Sequence, residues 1–267
     1  MWLNHMELLE GVEILIVDLD GVVWVGGRVI EANVKALSRL QERLQIYYAT
    51  NNSTRSRVDY ASKLRSLGLE ASEERVITSG RAAALWLKRF TDARNVYVIG
   101  EEGLKWELEV EGYNIVDRGL EAGAVVVGLD RRLTYGKLVE ALRAILGGAY
   151  FIGTNPDHIL PEEEHVIPGA GAIIAALETA SGRKLDVIVG KPNPWMVTST
   201  LGDVDYGRVV VVGDRVDTDV ELALRIGAKS IQTLTGVTRS LDGEAYRRLK
   251  EAGVVVVKDL EELLPTA

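Results

Sequence analysis

Four short clusters in this chain bring together carboxylates, a lysine and small hydroxyl or amide side chains. They are Asp18-Leu19-Asp20-Gly21, Thr50-Asn51-Asn52-Ser53, Gly190-Lys191-Pro192, and Gly213-Asp214-Arg215 followed by Asp217, Thr218 and Asp219. If they converge, Asp18, Asp20 and Asp214 put three carboxylates in one cleft. Two like charges about 4 Å apart repel by roughly 4 kcal/mol at an effective dielectric near 20, so the cluster needs cations. Lys191 supplies one, and a hard divalent ion with oxygen ligands, magnesium above all, supplies the rest. Thr50 and Asn51 offer a hydroxyl and an amide for phosphate oxygens, and the N–H groups of a turn can add to them. A nucleophilic carboxylate, a second carboxylate two residues on, a metal and a phosphate clamp are the parts that phosphoryl transfer by positioning and charge neutralisation requires.

Each cluster follows a short apolar run. Runs at Glu13–Asp18, Gln45–Ala49, Val96–Ile99, Ala124–Val127, Tyr150–Gly153, Val187–Val189, Val209–Val212, Ser230–Thr233 and Val254–Val257 are rich in valine and isoleucine and read as strands. Their unbroken apolar character suits parallel strands covered on both faces. Helical patterns with charged outer faces lie between them, at Ala32–Arg43, Val58–Ser66, Arg81–Phe90, Tyr135–Leu146, Ala172–Ala180, Val220–Arg225 and Glu244–Glu251. Strand–helix alternation of this kind predicts a doubly wound α/β sheet, whose ligands sit beyond the carboxyl ends of the strands. The clusters stand at those ends.

Composition narrows the chemistry. The chain has 267 residues, room for two closely associated domains, with 47% hydrophobic and 26% charged residues, an ordinary globular balance. A formal net charge of −8 argues against nucleic acid as a partner but not against a small phosphorylated one. No cysteine is present, which excludes disulfides, zinc–thiolate sites and cysteine-nucleophile phosphatase chemistry. No apolar run reaches the length of a membrane span, and the expected location is the cytoplasm.

The order of the clusters carries a family resemblance. DLDGVVW at 18–24, TNNS at 50–53, IVGKPNPWM at 188–196 and VGDRVDTDV at 212–220 resemble the haloacid dehalogenase-like phosphatases. GTNPDHILP at 153–161 and PGAGAIIAALETASGR at 168–183 are similar to the subclass holding the NagD-type, 4-nitrophenyl and phosphoglycolate phosphatases. The resemblance spans nearly the whole chain and implies a Rossmann-like core interrupted by a large α/β cap, with core at 1–80, cap at 81–177 and core again at 178–267. It implies Asp18 as nucleophile and Asp20 as general acid and then base. Magnesium would be held by Asp18, the backbone carbonyl of Asp20 and Asp214, with Asp219 behind the ligands, and the phosphoryl group by Thr50, Asn51 and Lys191. The substrate would be a small phosphomonoester, and the subclass often forms homodimers.

Other features admit two readings each. Trp24, with Gly26 and Gly27, forms a flap that either touches substrate or only packs. Asn52, Asn155, Asp157 and His158 are candidates for substrate contact, against a polar turn shaped by Pro156. Asp217 reads as a solvated residue. Gly169-Ala170-Gly171 starts like a dinucleotide fingerprint, but Ile174 fills the third glycine position. His5 reads as an uninvolved tail residue. A phospho-accepting regulatory module, similar to a receiver domain, uses the same aspartates, metal and lysine. Asp20 speaks against it, because a carboxylate that activates water shortens the life of an acyl phosphate. A phosphotransferase is the other alternative.

Overall fold

The computed structural model describes residues 8–161 and 166–264, so His5 and His165 lie outside it. The chain divides into two compact units, one made of residues 1–49, 61–76 and 201–267, the other of 50–60 and 77–200. Thr50, Asn51, Asn52 and Lys191 belong to the second unit, and Asp18, Asp20, Asp214 and Asp219 to the first.

Along the chain, strand β1 (Ile14–Asp18) leads into a hairpin of β2 (Trp24–Val25) and β3 (Arg28–Val29), helix α1 (Glu31–Leu40), strand β4 (Gln45–Thr50), helix α2 (Arg57–Ser66) and strand β5 (Val76–Thr78). Next come α3 (Ser79–Phe90), β6 (Asn95–Ile99), α4 (Glu102–Val110), β7 (Asn114–Ile115), β8 (Ala124–Val127), α5 (Tyr135–Leu146) and β9 (Tyr150–Gly153). A short pair, β10 (Ile159–Pro161) and β11 (Val166–Pro168), precedes α6 (Ala170–Ser181), β12 (Val187–Ile188) and α7 (Trp195–Leu201). The chain ends with β13 (Val209–Gly213), α8 (Glu221–Ile226), β14 (Lys229–Thr233), α9 (Gly243–Glu251) and β15 (Val255–Val257).

The six-stranded sheet has the order β15-β14-β13-β1-β4-β5. β13 and β4 flank β1 in parallel, with Val17 beside Val212 on one side and Asp18 beside Ala49 on the other. Chain order reverses at β1, which opens the crevice that parallel α/β sheets use for ligands. The buried centre of this sheet is Leu15, Ile16 and Val17 on β1 and the valines of β13, as strands covered on both faces require.

The second unit has its own parallel sheet, in the order β12-β9-β8-β6-β7. Its core joins Ile99, Val125, Val127 and Phe151 to Ala141 and Ile145 of α5 and Ile174 and Leu177 of α6. Both sheets are parallel and α/β, as the alternation predicts.

Two helices were not legible in the sequence. In α4 the apolar residues Leu104, Trp106 and Leu108 alternate with a period of two, so no helical stripe stands out. The buried set is Gly103, Leu104, Glu107 and Leu108, a helical stripe disguised by a carboxylate at a core position. α7 (WMVTSTL) is rich in β-favouring residues, and tertiary context overrides them.

Candidate active site

In the first unit, Asp18 closes β1, Asp214 follows β13, and Asp219 sits in a wide π turn over Val216–Val220. Carboxylate oxygens of all three lie within 4.8 Å of one another, and the side chains are buried. Backbone is cleared away to allow this. A Cβ on Gly21, where φ is +100°, would come within 2.3 Å of Asp214 Oδ2, and one on Gly213 within 2.1 Å of Asp219 Cβ. Only glycine serves at either place. The Val237 N–H donates to Asp214 Oδ2 at 2.5 Å, and the Arg215 N–H to Asp219 Oδ2 at 3.2 Å.

Three buried carboxylates this close bring like charges together away from solvent, an arrangement that calls for a counter-charge. An all-oxygen set of this kind suits a hard divalent cation. The donor set therefore fits magnesium, with Asp219 standing in the same carboxylate group as Asp18 and Asp214. Asp217 points away. It is exposed and forms a bidentate pair with Arg215, at 3.0 and 2.7 Å.

Asp20 is half-buried, and its Oδ1 accepts the indole N–H of Trp24 at 3.1 Å. The turn carrying both is braced by a residue not singled out in the sequence. Asn33 is fully buried on α1, donates to Val22 O at 2.7 Å and accepts the Leu260 N–H at 2.7 Å. It also donates to Thr235 Oγ1, which in turn donates to Gly21 O at 2.6 Å. An asparagine among Val34, Ala36, Leu37 and Leu40 on the apolar stripe of α1 was the available signal, since a buried amide must find partners.

In the second unit, Asn51 fastens Lys191. Asn51 Oδ1 accepts the Lys191 N–H at 2.8 Å, and its Nδ2 donates to Lys191 O at 3.1 Å and to Asp157 Oδ2 at 3.3 Å. Both amide protons expected for phosphate thus go to Lys191 and Asp157. Lys191 is 3% exposed and occupies a turn in which Asn193 N–H returns to Gly190 O at 2.9 Å across a cis Lys191–Pro192 bond. Thr50 Oγ1 accepts the Asn52 N–H, and Asn52 Oδ1 accepts from Thr54 N–H and hydroxyl. Asn155 is buried, donates to Asn51 O at 2.7 Å and accepts the Asp157 N–H. His158 is exposed, and its carbonyl accepts the Gly169 N–H.

Glu107 was also missed. It is fully buried on α4, pairs with Arg57 Nη1 at 2.7 Å, and accepts the Arg57 N–H at 2.8 Å and the Thr78 hydroxyl at 3.0 Å. Burial pushes its carboxyl above the ordinary value, against the pull of Arg57. Through Arg57 it ties α4 to the segment that begins with Thr50 and Asn51.

Comparison with known proteins places this geometry. Residues 15–114 match the haloacid dehalogenase-like hydrolase family, and 188–263 match a HAD-hydrolase-like family. A p-nitrophenyl phosphatase from Archaeoglobus fulgidus superposes with a TM-score of 0.85 at 37% identity, covering 94% of this chain and 98% of that one. A glycerol phosphate phosphatase from Mycobacterium tuberculosis, solved in complex with magnesium, has a TM-score of 0.85 at 34% identity, covering 96% and 77%. The chloroplastic phosphoglycolate phosphatase 1A of Arabidopsis thaliana is 34% identical over 264 residues, 88% of this chain and 72% of its own.

Proposed function

Because the chain belongs to the haloacid dehalogenase-like hydrolases and is a phosphomonoester hydrolase, we propose that it cleaves small phosphomonoesters with magnesium through an aspartyl-phosphate on Asp18. The observation that carries the reading is the buried group of Asp18 and Asp214, at the ends of two adjacent parallel strands, with Asp219 in the turn that follows.

The carboxylate of Asp18 attacks phosphorus, and the ester oxygen leaves with a proton from Asp20. Asp20, now a carboxylate, takes a proton from the water that attacks the acyl phosphate, which releases inorganic phosphate and restores Asp18. Asp18, Asp214 and the backbone carbonyl of Asp20 would hold magnesium, with Asp219 beside them, and the ion would neutralise charge on the phosphate oxygens. Thr50, Asn51 and Lys191 are assigned to the phosphoryl group, Asn51 chiefly by aligning the Lys191 main chain. The segment at 81–177, with Asn155, Asp157 and His158, is assigned to substrate choice. The substrate class comprises glycerol phosphate, phosphoglycolate, nucleoside monophosphates and pyridoxal phosphate, with 4-nitrophenyl phosphate as the chromogenic stand-in.

The test is hydrolysis of 4-nitrophenyl phosphate with and without magnesium, in the parent and in Asp18→Asn and Asp20→Asn. Turnover that needs the metal and collapses in Asp18→Asn supports the reading. Turnover that survives Asp18→Asn removes the nucleophile and the mechanism with it.

A further inference from the structure

Trp24 is 2% exposed, so its indole N–H needs an acceptor inside the protein. That acceptor is Oδ1 of Asp20, the group assigned to proton transfer, at 3.1 Å. The backbone holds the pair in register. Trp24 N–H donates to Leu19 O at 3.2 Å, and Gly21 N–H donates to Trp24 O at 2.6 Å. The Nζ of Lys63, on α2, lies 3.5 Å from the centroid of the indole ring, a cation over an aromatic face.

We propose that Trp24 is a positioning residue for Asp20, with Lys63 clamping the indole, so that one oxygen of the Asp20 carboxyl is reserved and the other transfers the proton. An indole nitrogen donates and never accepts. While it is bonded to Oδ1, the proton that Asp20 carries as an acid is favoured on Oδ2, because a carbonyl oxygen accepts a hydrogen bond better than a hydroxyl oxygen does. The same bond keeps the carboxyl plane fixed when Asp20 turns from acid to base. A cation over the ring face draws charge from the indole and strengthens its N–H as a donor.

This inference rests on the role given to Asp20 under the proposed function, and the experiment separates the two. An acid that is correctly aimed matters most when the leaving group is basic. Phenyl phosphate and 4-nitrophenyl phosphate have nearly the same shape, but the nitrophenolate leaves with far less help from a proton. The quantity to compare is kcat/KM, which reports phosphoryl transfer up to the first irreversible step.

Trp24→Phe keeps a ring under Lys63 and removes the N–H. It should lower kcat/KM for phenyl phosphate by about tenfold or more, within the range that general acid catalysis supplies, and leave 4-nitrophenyl phosphate much less affected. Lys63→Met should shift the two esters in the same direction by less. Asp20→Asn should show the same selectivity more strongly, and Trp24→Phe added to it should cost nothing further. An equal loss on both esters, or a loss that persists on top of Asp20→Asn, would overturn the inference, because a ring that serves folding or substrate contact behaves that way. If Asp20→Asn spares both esters, the role of Asp20 falls and this inference with it. Where Trp24→Phe does not fold, Lys63→Met carries the same two-ester comparison, and equal effects on both esters would again decide against it.

Discussion

At the residue scale the chemistry depends on how three acids tolerate each other. Asp18, Asp214 and Asp219 are buried within 4.8 Å of one another, and a cation between them would offset the repulsion of their like charges. If these carboxylates hold magnesium as proposed, removing one charge should weaken that hold. Asp219→Asn should weaken magnesium affinity by about 10–100-fold, the range seen when a group supporting a metal site is changed. Titrating activity against magnesium reads this directly, and an unchanged magnesium requirement would place Asp219 outside the site. If Asp18 is the nucleophile as proposed, Asp18→Asn should lose at least about a thousandfold in kcat at saturating magnesium, because nothing else in the site would take its place. Asp18 and Asp214, which the structure brings together with Asp219, stand out in the sequence because a carboxylate at the end of an apolar run has few structural reasons to be there. Asn33 does not, since a single amide inside an apolar stripe says that a partner exists without saying which.

At the scale of elements, the fold solves a placement problem with local irregularities. The π turn at Val216–Val220 brings Asp219 back towards the end of β13, where Gly213 leaves room for it. In the second unit the segment from Thr50 is tied to α4 by Arg57 and Glu107. Truncating one partner of a buried pair leaves the other charge uncompensated, so Glu107→Ala should destabilise the protein by about 3–5 kcal/mol, measured by denaturant unfolding. A cost below about 1 kcal/mol would mean that Arg57 finds water instead. The pH dependence has a definite sign. Burial raises the Glu107 carboxyl above 4.5 in the folded chain, so in that window the folded state binds more protons than the unfolded one. The stability contribution is complete below about 4.5 and declines as the pH rises through the folded value. Compared with Glu107→Gln, the parent should lose stability as pH is raised from about 4.5. The opposite slope in a thermal series would show that the ion pair outweighs burial. Strands were easier to read than α4 for the same physical reason: their apolar runs are unbroken, whereas Glu107 interrupts the helical stripe.

At the scale of the whole molecule, the chain leaves the first unit after Ala49, returns at 61–76, leaves again, and comes back only at Leu201. The first sheet is thus assembled from distant parts of the sequence. Parallel strand runs announced the α/β class, but no change in composition marks where one unit gives way to the other. That division comes from packing, which a linear pattern does not carry. The carboxylates make the consequence measurable. Asp18 comes from the first segment and Asp214 and Asp219 from the last, on strands that are neighbours only in the folded sheet. In the unfolded chain they are far apart, so the ion binds the folded form and adds to its stability by mass action. Magnesium at one hundred times its dissociation constant should contribute about 2.7 kcal/mol. At roughly 2–4 °C per kcal/mol for a chain near this size, the transition of the first unit should rise by about 5–10 °C. The same addition should do nothing for Asp214→Asn. A rise that survives Asp214→Asn would mean that the ion binds elsewhere. No rise in the parent would mean that the three carboxylates, close as they are, do not form the metal site of the proposed mechanism.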